Sequence, residues 1–160
     1  IGYYHPGYEK PLLQLAWDRG CQAALAVKGE EGTSHYTLRA GKPSTANHMA
    51  VNYSFGFRRS NGRRENFEVD LDARILGFEY KRNPRIKDVN AENFAKAGLA
   101  ALAGEKGHIY DRIILNAGMT DYLLGIRSNT DEAIQRAKDA IDSGHALSHL
   151  NAYIAKSRAV

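Results

Sequence analysis

The chain has 160 residues, a mass of 17.7 kDa and a formal net charge of +4. Hydrophobic residues make up 43% and charged residues 25%, which is the balance of an ordinary globular protein and not of a disordered chain. No apolar run approaches the roughly 20 residues that a membrane-spanning helix requires, so no such span is predicted. The chain begins without Met and without a basic or apolar leader, and its first residues are expected to be a strand already under way.

Residues 3–5 have the composition of a short strand that ends at Pro6. Apolar residues recur at helical spacing over 9–22, with Gly20 as a stop signal, and 23–27 form a continuous apolar run. This order predicts a βαβ unit with a right-handed crossover. An apolar strand buried on both faces is typical of a mostly parallel sheet.

Cys21 is the single cysteine of the sequence, so it forms no intrachain disulfide and no cysteine-based metal cluster. This usage is typical of a reducing compartment such as the cytosol, a plastid stroma or a mitochondrial matrix. Because Cys21 lies between a predicted helix and an apolar strand, we expect a small buried hydrophobe and not a nucleophile.

The middle of the chain predicts three short strands. Residues 34–39, 48–57 and 67–71 each alternate apolar and polar side chains. Asn61 and Gly62 carry the turn signal of a two-residue hairpin, so the second and third of these strands are expected to pair through it.

The C-terminal third predicts helices with recognisable start signals. Asn90 is expected to cap a first helix, a second covers 110–124, and Thr130 is expected to cap a third. A closing helical stretch covers 146–154. All the elements together predict a single α/β domain over 1–160, with a mostly parallel sheet and helices gathered toward the C-terminal end.

The segment near 40–65 is predicted to be a basic insertion in this domain. Basic side chains cluster here and shortly beyond, among them Arg58, Arg59, Arg63, Arg64, Lys81, Arg82, Arg85 and Lys87. Such a cluster attracts nucleic acid, phosphate groups or an acidic protein surface, or it forms a solvated loop.

Three pairs of stretches carry a resemblance to a known family. They are 1–6 (IGYYHP) with 24–32 (ALAVKGEEG), 67–70 (FEVD) with 76–78 (LGF), and 111–118 (DRIILNAG) with 140–147 (AIDSGHAL). In this order and spacing they resemble the glycosyltransferase family that contains anthranilate phosphoribosyltransferase, with thymidine phosphorylase as a more distant relative. The third pair is the most specific, and the resemblance leaves out roughly 40–65.

The resemblance implies the C-terminal half of an α/β domain of the nucleoside-phosphorylase and phosphoribosyltransferase type. It implies transfer of the phosphoribosyl group from phosphoribosyl pyrophosphate to an aromatic amine, with magnesium as cofactor, as in tryptophan biosynthesis. The diphosphate leaving group carries concentrated negative charge. Backbone N–H groups of a glycine-rich loop stabilise that charge, and carboxylates hold the divalent metal.

Two departures from the family pattern bear on catalysis. The glycine-rich phosphate loop of the family lies upstream of residue 1, and the acidic side chains of Glu30 and Glu31 would repel a diphosphate. Where the family enzymes carry an Asp-Glu pair for magnesium, this chain has Ser34 and His35, whose hydroxyl and imidazole are poor ligands for a hard cation. Glu30 and Glu31 are weaker candidates for metal ligands, or they form an exposed acidic turn. Transferase activity is therefore expected only together with the missing N-terminal half.

The alternative is a non-catalytic derivative that binds nucleic acid or serves as a subunit of a larger assembly. Aromatic side chains beside arginines stack bases and contact phosphates, and the same composition suits a protein interface. The candidate residues for this role are Tyr53, Phe55, Arg58, Arg59, Arg63 and Arg64.

His145 and His149 are four residues apart and are expected to share a helix face. No third metal ligand is implied by their spacing, so a surface or capping role is expected for both.

Overall fold

The computed structural model describes residues 1–3, 5, 7–28, 35–38, 52–79 and 90–158. The chain separates into two units, Ile1–Arg82 and Asn83–Val160. The single domain expected over 1–160 stays a prediction. None of the helices in the described ranges has the length and apolarity that crossing a membrane requires.

The first unit begins with the predicted strand–helix–strand order. Helix α1 covers Glu9–Asp18 and strand β1 covers Ala23–Lys28. Gly2 pairs in parallel with Val27, whose N–H donates to the Ile1 carbonyl at 2.8 Å and whose carbonyl accepts from Tyr3 at 3.2 Å. The parallel order of the two ends agrees with the predicted βαβ unit, but the first strand is reduced to a bridge at Gly2, and Tyr3 and His5 of the expected strand 3–5 are not in a strand.

A two-residue hairpin extends this sheet. Strand β2 covers Asn52–Ser60, strand β3 covers Arg63–Leu71, and the strand order is β1-β2-β3 with both pairs antiparallel. Asn61 and Gly62 form the turn with φ of 49° and 75°, the left-handed conformation that such turns require, so the predicted hairpin is confirmed.

The α/β class is confirmed, but the described strands differ in direction from the expected mostly parallel sheet. The parallel pairing among the described residues is the bridge between Gly2 and Val27. The direction of β3 follows from its turn, because two residues can connect antiparallel strands but not parallel ones.

Helix α1 packs on one face of the sheet. Leu13 and Ala16 of the helix meet Ala26 of β1 and Phe57 of β2, and Tyr3 completes the cluster. Phe57 and Ala26 are completely buried. This cluster forms the hydrophobic core between α1 and the sheet.

Cys21 corrects one prediction, because its side chain is exposed and not buried. It lies in the turn between α1 and β1, where its backbone N–H donates to the Ala16 carbonyl at 3.1 Å. The turn places this residue outside the core cluster.

The strand expected over 34–39 is not formed in 35–38, the part that is described. Side-chain hydrogen bonds replace a strand ladder there, as described below. After β3, a short 3₁₀ helix covers Ala73–Leu76, and the carboxylate of Asp72 accepts from the Arg74 N–H at 3.0 Å.

The second unit contains helices α2 (Ala91–Leu102), α3 (His108–Leu123), α4 (Thr130–Asp142) and α5 (His145–Ser157). The predicted cap at Asn90 is confirmed by its side chain, which accepts from Asn93 N–H at 2.8 Å. The cap predicted at Thr130 is wrong, because Asn129 accepts from Glu132 N–H at 2.8 Å and Thr130 is already helical. The Asn129 backbone is extended, as an N-cap requires.

Helices α3 and α4 approach closely at Gly118. A Cβ atom at that position would lie 2.6 Å from the Ile134 side chain and 2.9 Å from its Cα. Glycine at this point therefore sets how closely the two backbones pack.

Candidate functional site

Most of the residues that the resemblance places near the metal lie outside the part of the chain that the structure describes. Glu30, Glu31 and Ser34 fall outside the described residues. His35 is described, and its side chain is half-buried. The three residues that follow it, 36–38, are almost completely buried.

Segment 36–38 is anchored to β2 by hydrogen bonds from two buried side chains. The Asn52 side chain accepts from Thr37 N–H at 2.7 Å and donates to the Thr37 carbonyl at 2.8 Å. The Tyr36 hydroxyl and the Ser54 hydroxyl are 2.6 Å apart. We call these contacts the Asn52 anchor.

The Asn52 anchor explains why small polar residues stand in a buried strand. Asn52 and Ser54 alternate along β2, so they share the sheet face opposite α1, and both are at most 1% exposed. An amide side chain carries a donor and an acceptor, which satisfies both backbone groups of one residue. Thr37 is thereby fixed at two points, and the chain that carries Ser34 and His35 leads directly into it.

Burial in the anchor changes the acidity of Tyr36. Loss of solvent around the ring raises the pKa of the Tyr36 hydroxyl to about 12, although the hydrogen bond to Ser54 acts in the opposite direction. The hydroxyl is therefore neutral at physiological pH and serves as a hydrogen-bonding group.

The opposite face of β2 carries the aromatic residues proposed for nucleic-acid or partner binding. The rings of Tyr53 and Phe55 are half-buried and meet edge to face, with centroids 4.8 Å apart. Arg59 lies on the same face, because it continues the alternation of these residues along the strand.

Arg59 and Arg64 hold helix α1 to the hairpin. The Arg59 guanidinium lies 3.5 Å from the centroid of the Trp17 ring and donates to the Trp17 carbonyl at 2.8 Å and the Cys21 carbonyl at 3.0 Å. Arg64 lies 5.6 Å from the same ring, and its Nη1 donates to Gln14 at 2.9 Å. We call this arrangement the Trp17 clamp.

The Trp17 clamp divides the predicted basic cluster in two. Arg59 and Arg64 make contacts inside the unit, whereas Arg58 and Arg63 are exposed on the other sheet face. Arg58 forms an ion pair with Glu65 at 2.8 Å. The remaining predicted cations, Lys81, Arg82, Arg85 and Lys87, lie outside the described residues.

The second unit contains an open groove of about 710 Å³ between α3, α4 and α5. Ile113, Ala117 and Ile141 supply apolar walls, and His145 and His149 both line it, so these two histidines share a helix face as predicted. The Nδ1 atom of His145 is 3.0 Å from the Ser143 hydroxyl.

The second unit also contains a polar cluster near the start of α3. Lys106 forms an ion pair with Asp142, and both groups contact the Tyr110 hydroxyl at 2.5 Å. The hydrogen bond from Lys106 holds the pKa of Asp142 below its usual range. The cluster ties the loop before α3 to the end of α4.

The described ranges contain no cluster of three metal-ligating side chains. No three His, Cys, Asp or Glu side chains in the described ranges are grouped so that they could hold a metal ion. Magnesium prefers oxygen ligands, and the imidazole of His35 stands where the family pattern has a carboxylate. His35 therefore does not fit the metal, and the weaker candidates Glu30 and Glu31 lie outside the described residues.

Comparison of the sequence with curated proteins identifies relatives over nearly its whole length. The chain is 31% identical over 157 residues to the anthranilate phosphoribosyltransferase of Bacillus mycoides (strain KBAB4), covering 98% of this chain and 42% of that protein. It is 30% identical, with the same coverage, to the enzyme of that name from Bacillus cereus (strain ATCC 14579). The chain thus spans well under half the length of these relatives. No family model matches it.

Solved structures show the same fold. Anthranilate phosphoribosyltransferase from Thermus thermophilus superposes with a TM-score of 0.66 at 22% identity, covering 95% of this chain and 40% of that one. The Saccharomyces cerevisiae enzyme in complex with PRPP and Mg gives a TM-score of 0.69 at 19% identity, covering 98% and 42%. The resemblance inferred from the sequence motifs is confirmed.

Proposed function

Because this chain is homologous to part of anthranilate phosphoribosyltransferases over nearly its whole length, we propose that it is a portion of a related transferase. The reaction proposed is transfer of the phosphoribosyl group from phosphoribosyl pyrophosphate to an aromatic amine. The observation that carries the proposal is the match over 98% of the chain at 31% identity. The α/β fold shared with the solved relatives supports it.

The Asn52 anchor supports a role for the segment that precedes it. Two buried hydrogen bonds to Thr37 fix the backbone two residues after His35. A segment held in this way loses little additional entropy when it contacts a ligand. We infer that the anchor positions Ser34 and His35 beside the diphosphate of the substrate.

Ser34 and His35 would contribute hydrogen bonds in place of metal ligands. A hydroxyl and an imidazole N–H both donate to anionic phosphate oxygens, whereas the Asp-Glu pair of the family pattern accepts a metal. The proposal is therefore a transferase whose dependence on magnesium at this position is reduced.

The test uses the longest natural polypeptide that contains this chain. Binding of phosphoribosyl pyrophosphate is measured by calorimetry with and without magnesium, and turnover is measured with anthranilate as the amine. Ser34→Asp combined with His35→Glu restores two carboxylates, and we expect it to increase the dependence of binding on magnesium by about tenfold or more.

The matched control makes the same two replacements on helix α5, as His149→Glu with Ser157→Asp. This control changes the net charge equally, so it separates a local metal effect from a general charge effect. A protein that binds no phosphoribosyl pyrophosphate under either condition would overturn the proposed function. A magnesium response that is equal in the two double variants would overturn the role of Ser34 and His35.

The non-catalytic alternative receives less support from the hairpin. Arg59 and Arg64 are used by the Trp17 clamp, and Arg58 is paired with Glu65. Nucleic-acid binding through this surface would rest mainly on Arg58 and Arg63, with Tyr53 and Phe55 on the opposite sheet face. This separation is unlike the continuous basic and aromatic surface that single-stranded nucleic acids require.

A further inference from the structure

The outer edge of β3 carries backbone groups that the described sheet leaves unpaired. Arg59 N–H donates to the Gln22 carbonyl at 2.7 Å, so the odd-numbered residues of β2 bond toward β1 and the even-numbered ones toward β3. Gly56 pairs with Phe67, so the odd-numbered residues of β3 bond inward. The N–H and carbonyl groups of Arg64, Asn66, Glu68 and Asp70 therefore face outward, and no described strand pairs with that edge.

The charges along this edge are self-complementary. Strand β3 runs Arg63–Leu71, with Phe67 at its centre. An antiparallel copy centred on Phe67 overlaps all nine residues of the strand. In that register Arg64 lies opposite Asp70 of the other copy at both ends, and Asn66 lies opposite Glu68.

The same register brings no like charges directly opposite one another. Glu65 then faces Val69, and Phe67 faces its own counterpart across the two-fold axis. Shifting the register by two residues so that Asn66 faces Asp70 would place Glu68 opposite Glu68, which is unfavourable. The opposite shift, in which Asn66 faces itself, pairs Arg64 with Glu68 but overlaps only residues 63–69 of the strand. An edge strand that carried charges of one sign would repel a second copy, whereas the charges of β3 are complementary to those of a copy in this register.

Arg64 can take part without leaving the Trp17 clamp. Its Nε donates to Asn66 at 2.8 Å and its Nη1 to Gln14 at 2.9 Å. A guanidinium has five N–H donors, so others remain for a carboxylate across the interface.

We propose that β3 pairs antiparallel with β3 of a second copy of this chain, centred on Phe67, to form a symmetric dimer in which the three described strands of each copy join into one continuous sheet. The contact is isologous, because the same edge serves both copies. It is independent of the proposed transferase activity.

Cross-linking tests the register directly. In a Cys21→Ser background, Phe67→Cys places two thiols on a non-hydrogen-bonded pair, where the Cα atoms of facing residues are about 4.5 Å apart and within disulfide range. Val69→Cys is the matched control on the same sheet face. Its two copies would be separated by four residues, roughly 14 Å, which is too far for a disulfide. We expect dimer formation under mild oxidation for the first variant and not for the second.

Sedimentation of the unlinked protein tests the interface without cysteine. Glu68→Pro removes an outward N–H, which an edge strand tolerates, and we expect it to weaken dimerisation by about tenfold or more. Glu68→Ala keeps the N–H and loses only the side-chain contact with Asn66, so it is expected to weaken dimerisation much less than Glu68→Pro. A protein that is monomeric at all concentrations would overturn the proposal. Dimers unaffected by Glu68→Pro, or equal cross-linking at 67 and 69, would overturn it as well.

Discussion

The Arg59 guanidinium lies over the Trp17 ring, 3.5 Å from its centroid, and donates to the Trp17 carbonyl at 2.8 Å. One side chain therefore binds both the ring and the backbone of the residue near the end of α1. This contact links a helix to a strand that is 42 residues distant in the sequence.

Arg59→Ala should lower the free energy of unfolding by about 1–3 kcal/mol, because it removes the cation–π contact and two hydrogen bonds to carbonyl groups. Urea denaturation measures the change. Arg63→Ala, an exposed arginine at the hairpin turn, is the control, and it should shift the free energy by no more than about 0.5 kcal/mol. Equal losses in the two variants would contradict the structural role of Arg59.

Gly118→Ala should destabilise the second unit by about 1–3 kcal/mol, because the added methyl group would press against the backbone of Ile134. Thermal unfolding measures the effect. Gly98→Ala is the matched control, since Gly98 is also helical but has no atom within 4 Å of the position a Cβ would take. At Gly98 the higher helix propensity of alanine should raise the free energy of unfolding by up to about 1 kcal/mol.

Asn52→Ala should lower the free energy of unfolding by about 2–4 kcal/mol, because it removes both hydrogen bonds between the Asn52 side chain and the buried backbone of Thr37. Hydrogen exchange should locate the effect, with faster exchange at the Thr37 amide. Asn151→Ala, at an exposed position of α5, is the control and should change the free energy of unfolding by about 0.5 kcal/mol or less. Unchanged exchange at Thr37 would show that the anchor does not hold this segment.

Stability should fall as the pH rises from 10 to 12. Burial raises the pKa of Tyr36 to about 12, so the folded protein keeps the proton that an unfolded tyrosine loses near pH 10. The stabilisation is complete below pH 10 and is lost through this window, with Tyr36 contributing about 2–3 kcal/mol. Tyr3, whose pKa is also raised to about 12 by burial and by the nearby Glu9 carboxylate, contributes in the same direction.

Denaturation at a series of alkaline pH values checks this dependence. Tyr36→Phe combined with Ser54→Ala removes the hydroxyl and its partner, and it should make the decline above pH 10 shallower without abolishing it, since Tyr3 remains. Tyr153→Phe removes an exposed hydroxyl as the control and should leave the slope as in the wild type. An unaltered slope in the Tyr36 variant would contradict the prediction.

The sequence predicted the elements whose signals are local. Asn61 and Gly62 specify their turn because both residues tolerate positive φ, and Asn90 caps its helix because its side chain reaches the N–H three residues on. Thr130 failed as a cap because the neighbouring Asn129 competes for the same position, and caps are located by sequence to within a residue or two.

The sequence did not predict contacts that depend on distant packing. Segment 35–38 alternates polar and apolar side chains as a strand does, but its backbone forms hydrogen bonds with the side chain of Asn52, which lies 15 residues further along the chain. The cluster of arginines in the sequence predicts a basic surface that includes Arg59, whereas this side chain is bound to Trp17 inside the unit. Its alternation with Phe55 and Phe57 was a signal that it belongs to the face covered by α1.

Trp17 is the single tryptophan of the sequence, and it lies in the first unit. Indole emission therefore reports on the separation of α1 from the hairpin, while far-ultraviolet ellipticity is dominated by α2–α5 of the second unit. Melting curves recorded by the two signals would coincide if the units unfold as one cooperative body. Melting curves with different midpoints would show that each unit unfolds independently. The comparison needs no engineered label.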